Sequence, residues 1–358
     1  MQASRWLDAT LNLRIIRAFM NPKHRPVVLW LQFLCFAILV MIAIGGITRL
    51  TESGLSIVKW EPLMGALPPL NESQWQERFA QYQAYPEYRV LKPDMTLAEF
   101  KGIFFWEYFH RLWGRSIGMF FFLPFVGFLI TGHVRGALAG RLFIAFVLGG
   151  LQGALGWFMV KSGLVDIPRV SHFRLAAHLI LAMGLFAYLY WLVLDLKRGD
   201  RTPVPVSRGL RGFAWALLVL VIVQIAYGAF TAGLDAGYQF NTFPKMMGHW
   251  VPPGLVALDP AWLSFVNHPA AVQFVHRGLG WILAIAVTVF WWNSRRQGLR
   301  GAPDFLLGAV ALQFVLGVLT IVLHVPIAIA VAHQVNASFV LAALLAVLHG
   351  SAVPSARA

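Results

Sequence analysis

Residues 106–114 read WEYFHRLWG, and they place an acid, an imidazole and a guanidinium where a polar loop runs into a long apolar segment. A second His-Arg pair opens another apolar segment at residues 274–281, which read FVHRGLGW. Ionisable groups are rare at membrane depth, and those found there usually serve a function. The recurrence of His-Arg indicates a duplicated helical frame, in which the first copy alone adds a glutamate, Glu107.

The composition places the chain among polytopic membrane proteins. Its 358 residues are 58% hydrophobic and only 12% charged, and the mean hydropathy is +0.67. A soluble chain would carry about twice that charged fraction. Runs long enough to cross a bilayer predict an all-α fold of eight transmembrane helices, at residues 27–47, 113–131, 141–160, 175–195, 212–232, 272–292, 304–323 and 330–349.

The charge distribution argues against a nucleic-acid partner despite the net charge of +14. If the N-terminus is inside, more than half of the 29 lysines and arginines lie in short cytoplasmic segments. This is the positive-inside pattern, and it predicts cytoplasmic termini. No cleavable signal is evident, so we expect multi-pass insertion in a bacterial inner membrane, with lipid as the surroundings. The single cysteine, Cys35, excludes an intramolecular disulfide.

An internal repeat relates the first four predicted helices to the last four. Shifts of 183, 166, 161 and 155 residues superimpose successive segments of the first half on the second. The matched pairs include Gly45 with Gly228, Glu52 with Asp235, Met64 with Met247, His110 with His276, Gln152 with Gln313, Gly156 with Gly317 and His178 with His333. Both halves start inside, which predicts two parallel four-helix bundles related by a pseudo-twofold axis along the membrane normal.

This repeat divides the chain into four parts. They are a cytoplasmic segment at 1–26, a first half at 27–200 with a large outer loop, a second half at 201–350 and a tail at 351–358. The outer loop carries two candidate capping boxes, which begin at Ser73 and at Thr96. The second would start a helix that already includes Glu107 and His110, which a spacing of three places on one face.

Four of the eleven histidines occupy equivalent points near the start of the even-numbered helices: His110, His178, His276 and His333. Imidazole is a common axial ligand of haem iron, and facing helices of a four-helix bundle can hold a cofactor between them. The other seven histidines do not share the pattern, and for them we expect ordinary polar contacts. Arg111 and Arg277 each follow a candidate ligand, where they could pair with a haem propionate or anchor lipid headgroups.

These residues resemble a known family. The segments EYFHRLWGR at 107–115, HL at 178–179, FVHRGLGW at 274–281 and AHQ at 332–334, set on eight helices, resemble haem A synthase. The resemblance covers essentially the whole chain. Because no cysteine occurs in the outer loops, the chain is similar to the alphaproteobacterial and mitochondrial type, which lacks the loop cysteine pair.

The resemblance implies an activity and a set of sites. The family oxidises the C8 methyl group of haem O to a formyl group through two hydroxylations and loss of water. It implies that His276 and His333 ligate a permanent haem b that passes electrons, with His110 and His178 forming the substrate-haem site. It implies that Glu107 is required for activity. Expected partners are an electron donor, haem O synthase and cytochrome oxidase assembly factors.

The repeat supports this division of roles independently, because Glu107 aligns with Gln273. An acid one turn from an iron ligand can relay protons, whereas a site that only passes electrons has less need of one. Two imidazoles on the substrate iron leave no open coordination position. Either one ligand leaves during turnover or oxidation reaches the ring edge by another route, and the sequence leaves both possibilities open.

Two other classes compete with this interpretation. A dihaem b-type electron-transfer cytochrome in a quinol oxidoreductase would explain four histidines, but not the difference between Glu107 and Gln273. A transporter with parallel repeats would place its polar groups near the bilayer midplane, whereas these cluster at the outer ends of the helices. A prenyltransferase is disfavoured because paired aspartate-rich motifs are missing.

Overall fold

Eight long helices make up most of the chain in a computed structural model that describes residues 24–59, 67–165, 168–199 and 201–354. They are α1 (Arg25–Leu50), α2 (Leu97–Ile130), α3 (Gly136–Lys161), α4 (His172–Arg198), α5 (Arg208–Gly233), α6 (Pro269–Arg296), α7 (Ala302–Val322) and α8 (Ile327–Gly350). Each is long and apolar enough to cross a membrane. The predicted all-α polytopic membrane protein is confirmed.

Shorter elements complete the described part of the chain. They are helices at Glu72–Gln83, Ala236–Gln239 and Ser264–Asn267, a π-helical turn at Glu87–Leu91, a 3-10 turn at Ala261–Leu263, and strands β1 (Val204–Pro205) and β2 (Ser351–Ala352). The two strands pair in parallel. Of the predicted terminal segments, 1–26 lies outside the described residues except for 24–26, and so does 355–358 of the tail.

One of the two predicted capping boxes is confirmed and the other is wrong. Glu99 N donates to Thr96 Oγ1 over 3.3 Å and Thr96 N donates to Glu99 Oε2 over 2.8 Å, so α2 begins in the loop and includes Glu107 and His110. Ser73 caps nothing. The helix begins earlier because Asn71 accepts from Gln74 N over 2.9 Å, a role for which asparagine suits at least as well as serine.

The helices pack around a buried centre. Within the first half α1 contacts α2 and α4, and within the second α5 contacts α6 and α8. Across the halves α1 contacts α8, and α4 contacts α5. Buried apolar side chains form one cluster mainly on α1–α4 and another on α5–α8, and α8 contributes to both. The pseudo-twofold pair of bundles and the 27–200 and 201–350 division stay predictions.

The turns after α1 and α5 have the same unusual backbone. Glu52 has φ 49° and its repeat partner Asp235 has φ 54°, a left-handed conformation that is uncommon outside glycine. Glu52 N donates to Arg49 O and Asp235 N donates to Ala232 O, over 3.1 and 3.2 Å. The sequence repeat therefore extends to the backbone at these turns. Of the matched pair Met64 and Met247, Met64 lies outside the described residues.

The long loop between α1 and α2 has an aromatic core of its own. Tyr82 and Phe100 are fully buried, Phe104 is nearly so, and the Tyr82 and Phe100 ring centroids lie 5.2 Å apart. Beside this core Glu87 is buried and meets Lys92 Nζ at 3.1 Å. Burial raises the pKa of the Glu87 carboxyl, and the Lys92 ammonium opposes that rise. The loop is therefore a packed structure that rests on the first turns of α2.

We predict that Phe100→Ala loosens this loop. Removing a fully buried phenylalanine costs about 3–5 kcal/mol, so limited proteolysis of detergent-solubilised protein should cut between residues 72 and 91 much faster than in the parent. Phe105→Ala is the matched control, since Phe105 is 53% exposed and its loss should leave the rate of cleavage unchanged. Equal cleavage of both variants would show that the aromatic core does not hold the loop.

Candidate functional site

Each of the four matched histidines lies against a glycine on the neighbouring helix. A Cβ atom added at any of these glycines would lie closer to the imidazole than almost all real Cβ atoms lie to their neighbours. Measured from the added Cβ atom, the distances are 3.3 Å at Gly45 to His110 Nε2, 3.0 Å at Gly156 to His178 Cε1, 3.2 Å at Gly228 to His276 Cε1 and 2.9 Å at Gly317 to His333 Cε1. These glycines are themselves repeat partners, so the four imidazoles occupy one recurring kind of space.

The histidines pair within each half. His110 and His178 are close enough for their charges to interact, and so are His276 and His333. The side chains of all four are half-buried. Two such pairs of imidazoles could each hold a ligand within a four-helix bundle.

Glutamine side chains hold three of the four histidines. Gln152 Nε2 donates to His178 O over 3.1 Å and also lies 3.2 Å from His178 Nδ1. Its repeat partner Gln313 donates to His333 O over 3.0 Å, and Asn336 fixes Gln313 Oε1 from 2.7 Å. In the third case Gln224 Nε2 donates to His276 O over 3.0 Å.

Glu107 is buried and its carboxylate is fully engaged. Ser56 Oγ and the Ile57 N–H both donate to Oε2 over 2.7 Å. Arg111 Nη2 lies 2.5 Å from Oε1 and also donates to Ile57 O over 2.8 Å. The Glu107–Arg111 pair therefore binds the segment after α1 to the side of α2. Glu107 lies about one helical turn before His110.

The equivalent pair in the second half fastens the equivalent loop. Gln273 Nε2 donates to Ala236 O and Phe240 O, over 3.1 and 3.0 Å. Arg277 donates to Phe240 O, to Thr242 O and to Gln273 Oε1. Position 107 and its partner thus share a structural task, and only the first performs it with a carboxylate. The buried Arg277 Nε has no partner among the described residues.

Several other histidines make ordinary polar contacts, as the sequence led us to expect. His349 Nε2 meets Asp195 at 2.9 Å at the far end of α8, and His133 Nδ1 lies 2.9 Å from the Thr131 hydroxyl. His172 Nε2 lies 2.9 Å from Val266 O. None of these three joins the two histidine pairs.

A family model described as "Cytochrome oxidase assembly protein", COX15-CtaA, matches residues 28–345. The chain belongs to this family. Curated relatives named heme A synthase include one from Nitrosospira multiformis, 46% identical over 333 residues that cover 91% of this chain and 93% of the relative. Another from Rhodospirillum centenum is 46% identical and covers 91% of this chain and 88% of the relative. A third, from Wolbachia pipientis wMel, is 43% identical over 324 residues. The family that the His-Arg motifs resembled is confirmed.

The sequence did not reveal every functional contact of this family member. The repeat had matched Gln152 with Gln313 and Gly156 with Gly317, and that match was the available signal for their shared task. The sequence alone did not indicate that Gly45, Gly156, Gly228 and Gly317 each face an imidazole. No sequence pattern predicted the contact between Ser56 and Glu107, because that contact depends on how the segment after α1 folds back.

We predict that Glu107→Leu and Glu107→Gln differ sharply in stability. Leucine removes the acceptor of the Ser56 hydroxyl and the Ile57 N–H and one partner of Arg111, and unmade buried bonds of this kind cost about 3–5 kcal/mol. Glutamine keeps an acceptor oxygen, as Gln273 does in the second half. The thermal midpoint in detergent should fall clearly for leucine and little for glutamine, and equal midpoints would refute the anchoring role.

Proposed function

We propose that this protein is a haem A synthase, an oxidoreductase that converts haem O into haem A. The C8 methyl group is hydroxylated twice, and loss of water from the resulting diol leaves a formyl group. Family membership and the names of the relatives support haem A biosynthesis. The observation that carries the proposal is the pair of histidines in each half, of which only the first stands beside a buried carboxylate.

The residues of the second half fit a resident haem b. Gly228 and Gly317 leave room where any side chain would press on His276 and His333. Arg277 Nε is buried and has no partner within the described part of the chain, as expected of a group that awaits an anionic ligand. His276 and His333 would ligate the iron, and Arg277 would pair with a propionate. Haem b supplies one-electron transfer when bound.

The first half is assigned the substrate. His110 and His178 hold haem O, and Glu107 accepts the proton that oxidation of the methyl group releases. The contacts of the carboxylate position it for that role, since Ser56 and Ile57 donate to one oxygen and Arg111 lies 2.5 Å from the other. Positioned acids and bases of this kind typically contribute about 10²–10⁴-fold in rate. Arg111 is the proposed propionate partner on this side.

The proposal includes a location and partners. We place the protein in a bacterial inner membrane with both termini cytoplasmic and the four histidines towards the outer face, as the basic segments indicate. An electron donor must reduce the haem b. Haem O synthase would deliver the substrate, and cytochrome oxidase assembly factors would receive the product.

One observation favours a dihaem electron-transfer cytochrome as the second candidate. Glu107 and Gln273 fasten equivalent loops through equivalent arginines, so the glutamate has a structural task even if it performs no chemistry. The two candidates differ in product, because the cytochrome would leave both haems chemically unchanged.

The deciding experiment is expression with haem O supplied, followed by extraction and chromatography of the haems. The parent should yield haem A, and Glu107→Gln should lower that yield at least 100-fold, in keeping with loss of a proton-transfer group, while its haem b and folding persist. Glu77→Gln, which changes an exposed glutamate of the loop before α2, is the control and should remain active. Haem A at the parental level in Glu107→Gln would reduce Glu107 to a loop anchor. Two unchanged b haems in the parent would establish the cytochrome.

We also predict that Gly317→Ala lowers the haem b content of the purified protein. The new Cβ would lie 2.9 Å from His333 Cε1, so the imidazole must move off its position. Gly308→Ala on the same helix is the control, because nothing lies within 4 Å of a Cβ there. Equal haem b in both variants would contradict the placement of the second-half site.

A further inference from the structure

His110 differs from the other three histidines in how its helix is held. The backbone carbonyls of His178, His276 and His333 each accept a hydrogen bond from a glutamine on a neighbouring helix, over 3.0–3.1 Å. Among the residues that the structure describes, no side chain donates to the carbonyl of His110, and its ring makes no hydrogen bond.

A methionine occupies the place of the missing glutamine. The shift that aligns α1 with α5 puts Met41 on Gln224. The structure agrees, because the two side chains face matched glycines one turn beyond each His-Arg pair. A Cβ on Gly114 would lie 3.4 Å from Met41 Cε, and one on Gly280 would lie 3.5 Å from Gln224 Nε2. The first half therefore has a thioether where the second has an amide.

The two side chains offer a neighbouring imidazole different chemistry. An iron-bound imidazole carries its hydrogen on the other ring nitrogen, and a partner that accepts this hydrogen fixes the ring and makes it a stronger ligand. For His333 that acceptor is the backbone carbonyl of Gln313, 3.1 Å from Nδ1, so the glutamine side chains add their support through the bond to the histidine carbonyl. A thioether donates nothing and accepts only weakly.

No other described group takes over this task for His110. Both oxygens of Glu107, one turn away, are engaged by Ser56, Ile57 and Arg111. The hydrogen bonds between α1 and α2 lie on either side of His110. Thr48 donates to Trp106 O, and Trp113 donates to Ala37 O. These bonds hold the two helices together but leave the imidazole itself unsupported.

We propose that Met41 makes His110 the more weakly held of the two first-half ligands, so that His110 and not His178 gives up its place on the substrate haem. The inference rests on the proposed function. The nitrogen leaves with its electron pair, so the charge and the oxidation state of the iron do not change. Gln152 keeps His178 in place, while the second half, with glutamine at both histidines, keeps both ligands.

The test uses the full-length protein purified with its haems, with carbon monoxide as the probe of the reduced iron. Haem content is measured first by extraction. In the parent, carbon monoxide should bind the first-half haem and not haem b. Met41→Gln should weaken that binding by about tenfold or more, the usual effect of a partner beyond the ligand. Met41→Leu is the matched control, with no donor and similar size, and should bind carbon monoxide as the parent does.

The mirror variant keeps the inference testable if Met41→Gln fails to fold. Gln224→Met should allow carbon monoxide to bind haem b, which is closed in the parent. The spectrum of the adduct identifies the ligand that left. In the parent it should match that of His110→Ala and differ from that of His178→Ala.

Three results would overturn the inference. They are unchanged carbon monoxide binding in Met41→Gln with its haem content intact, a closed haem b in Gln224→Met, and an adduct that matches His178→Ala. A parent without any haem would instead overturn the proposed function, and this inference with it.

Discussion

A glycine and an imidazole share one small space at four places in this bundle, and the rest of the candidate site depends on that constraint. Interiors pack at the density of organic crystals, so a side chain at Gly45, Gly156, Gly228 or Gly317 would have to displace the ring opposite it. Glycine has no Cβ, which permits the neighbouring helix to approach. Each half therefore keeps two imidazoles, each against a glycine of the neighbouring helix.

The two halves use this frame with different surroundings. In the second half Gln273 and Arg277 hold a loop through neutral amides and backbone carbonyls, and Gln224 supports His276. In the first half a carboxylate replaces Gln273 and a thioether replaces Gln224. A buried carboxylate needs compensation, and Arg111 supplies it. We therefore assign electron transfer to the second half, in which glutamines hold both histidines. Oxidation of the substrate is assigned to the first half.

The sequence predicted the elements that depend on local chemistry or on the repeat. The helices follow from long apolar runs, and the start of α2 follows from the capping box at Thr96. The equivalent positions of the four histidines follow from the repeat. The contacts between Ser56 and Glu107 and between Gln224 and His276 join residues 51 and 52 positions apart, and no local pattern carries such information. Asn71 displaced the predicted cap at Ser73 because two good capping residues stood close together and the sequence could not rank them.

Locating the iron atoms tests the central claim most directly, because that claim is the pairing of histidines within each half. Anomalous scattering at the iron edge, from crystals of the protein loaded with haem O, would give those positions without reference to activity. The account predicts one iron between His276 and His333 and a second between His110 and His178. An iron between histidines of different halves, or a haem held by none of the four, would contradict it.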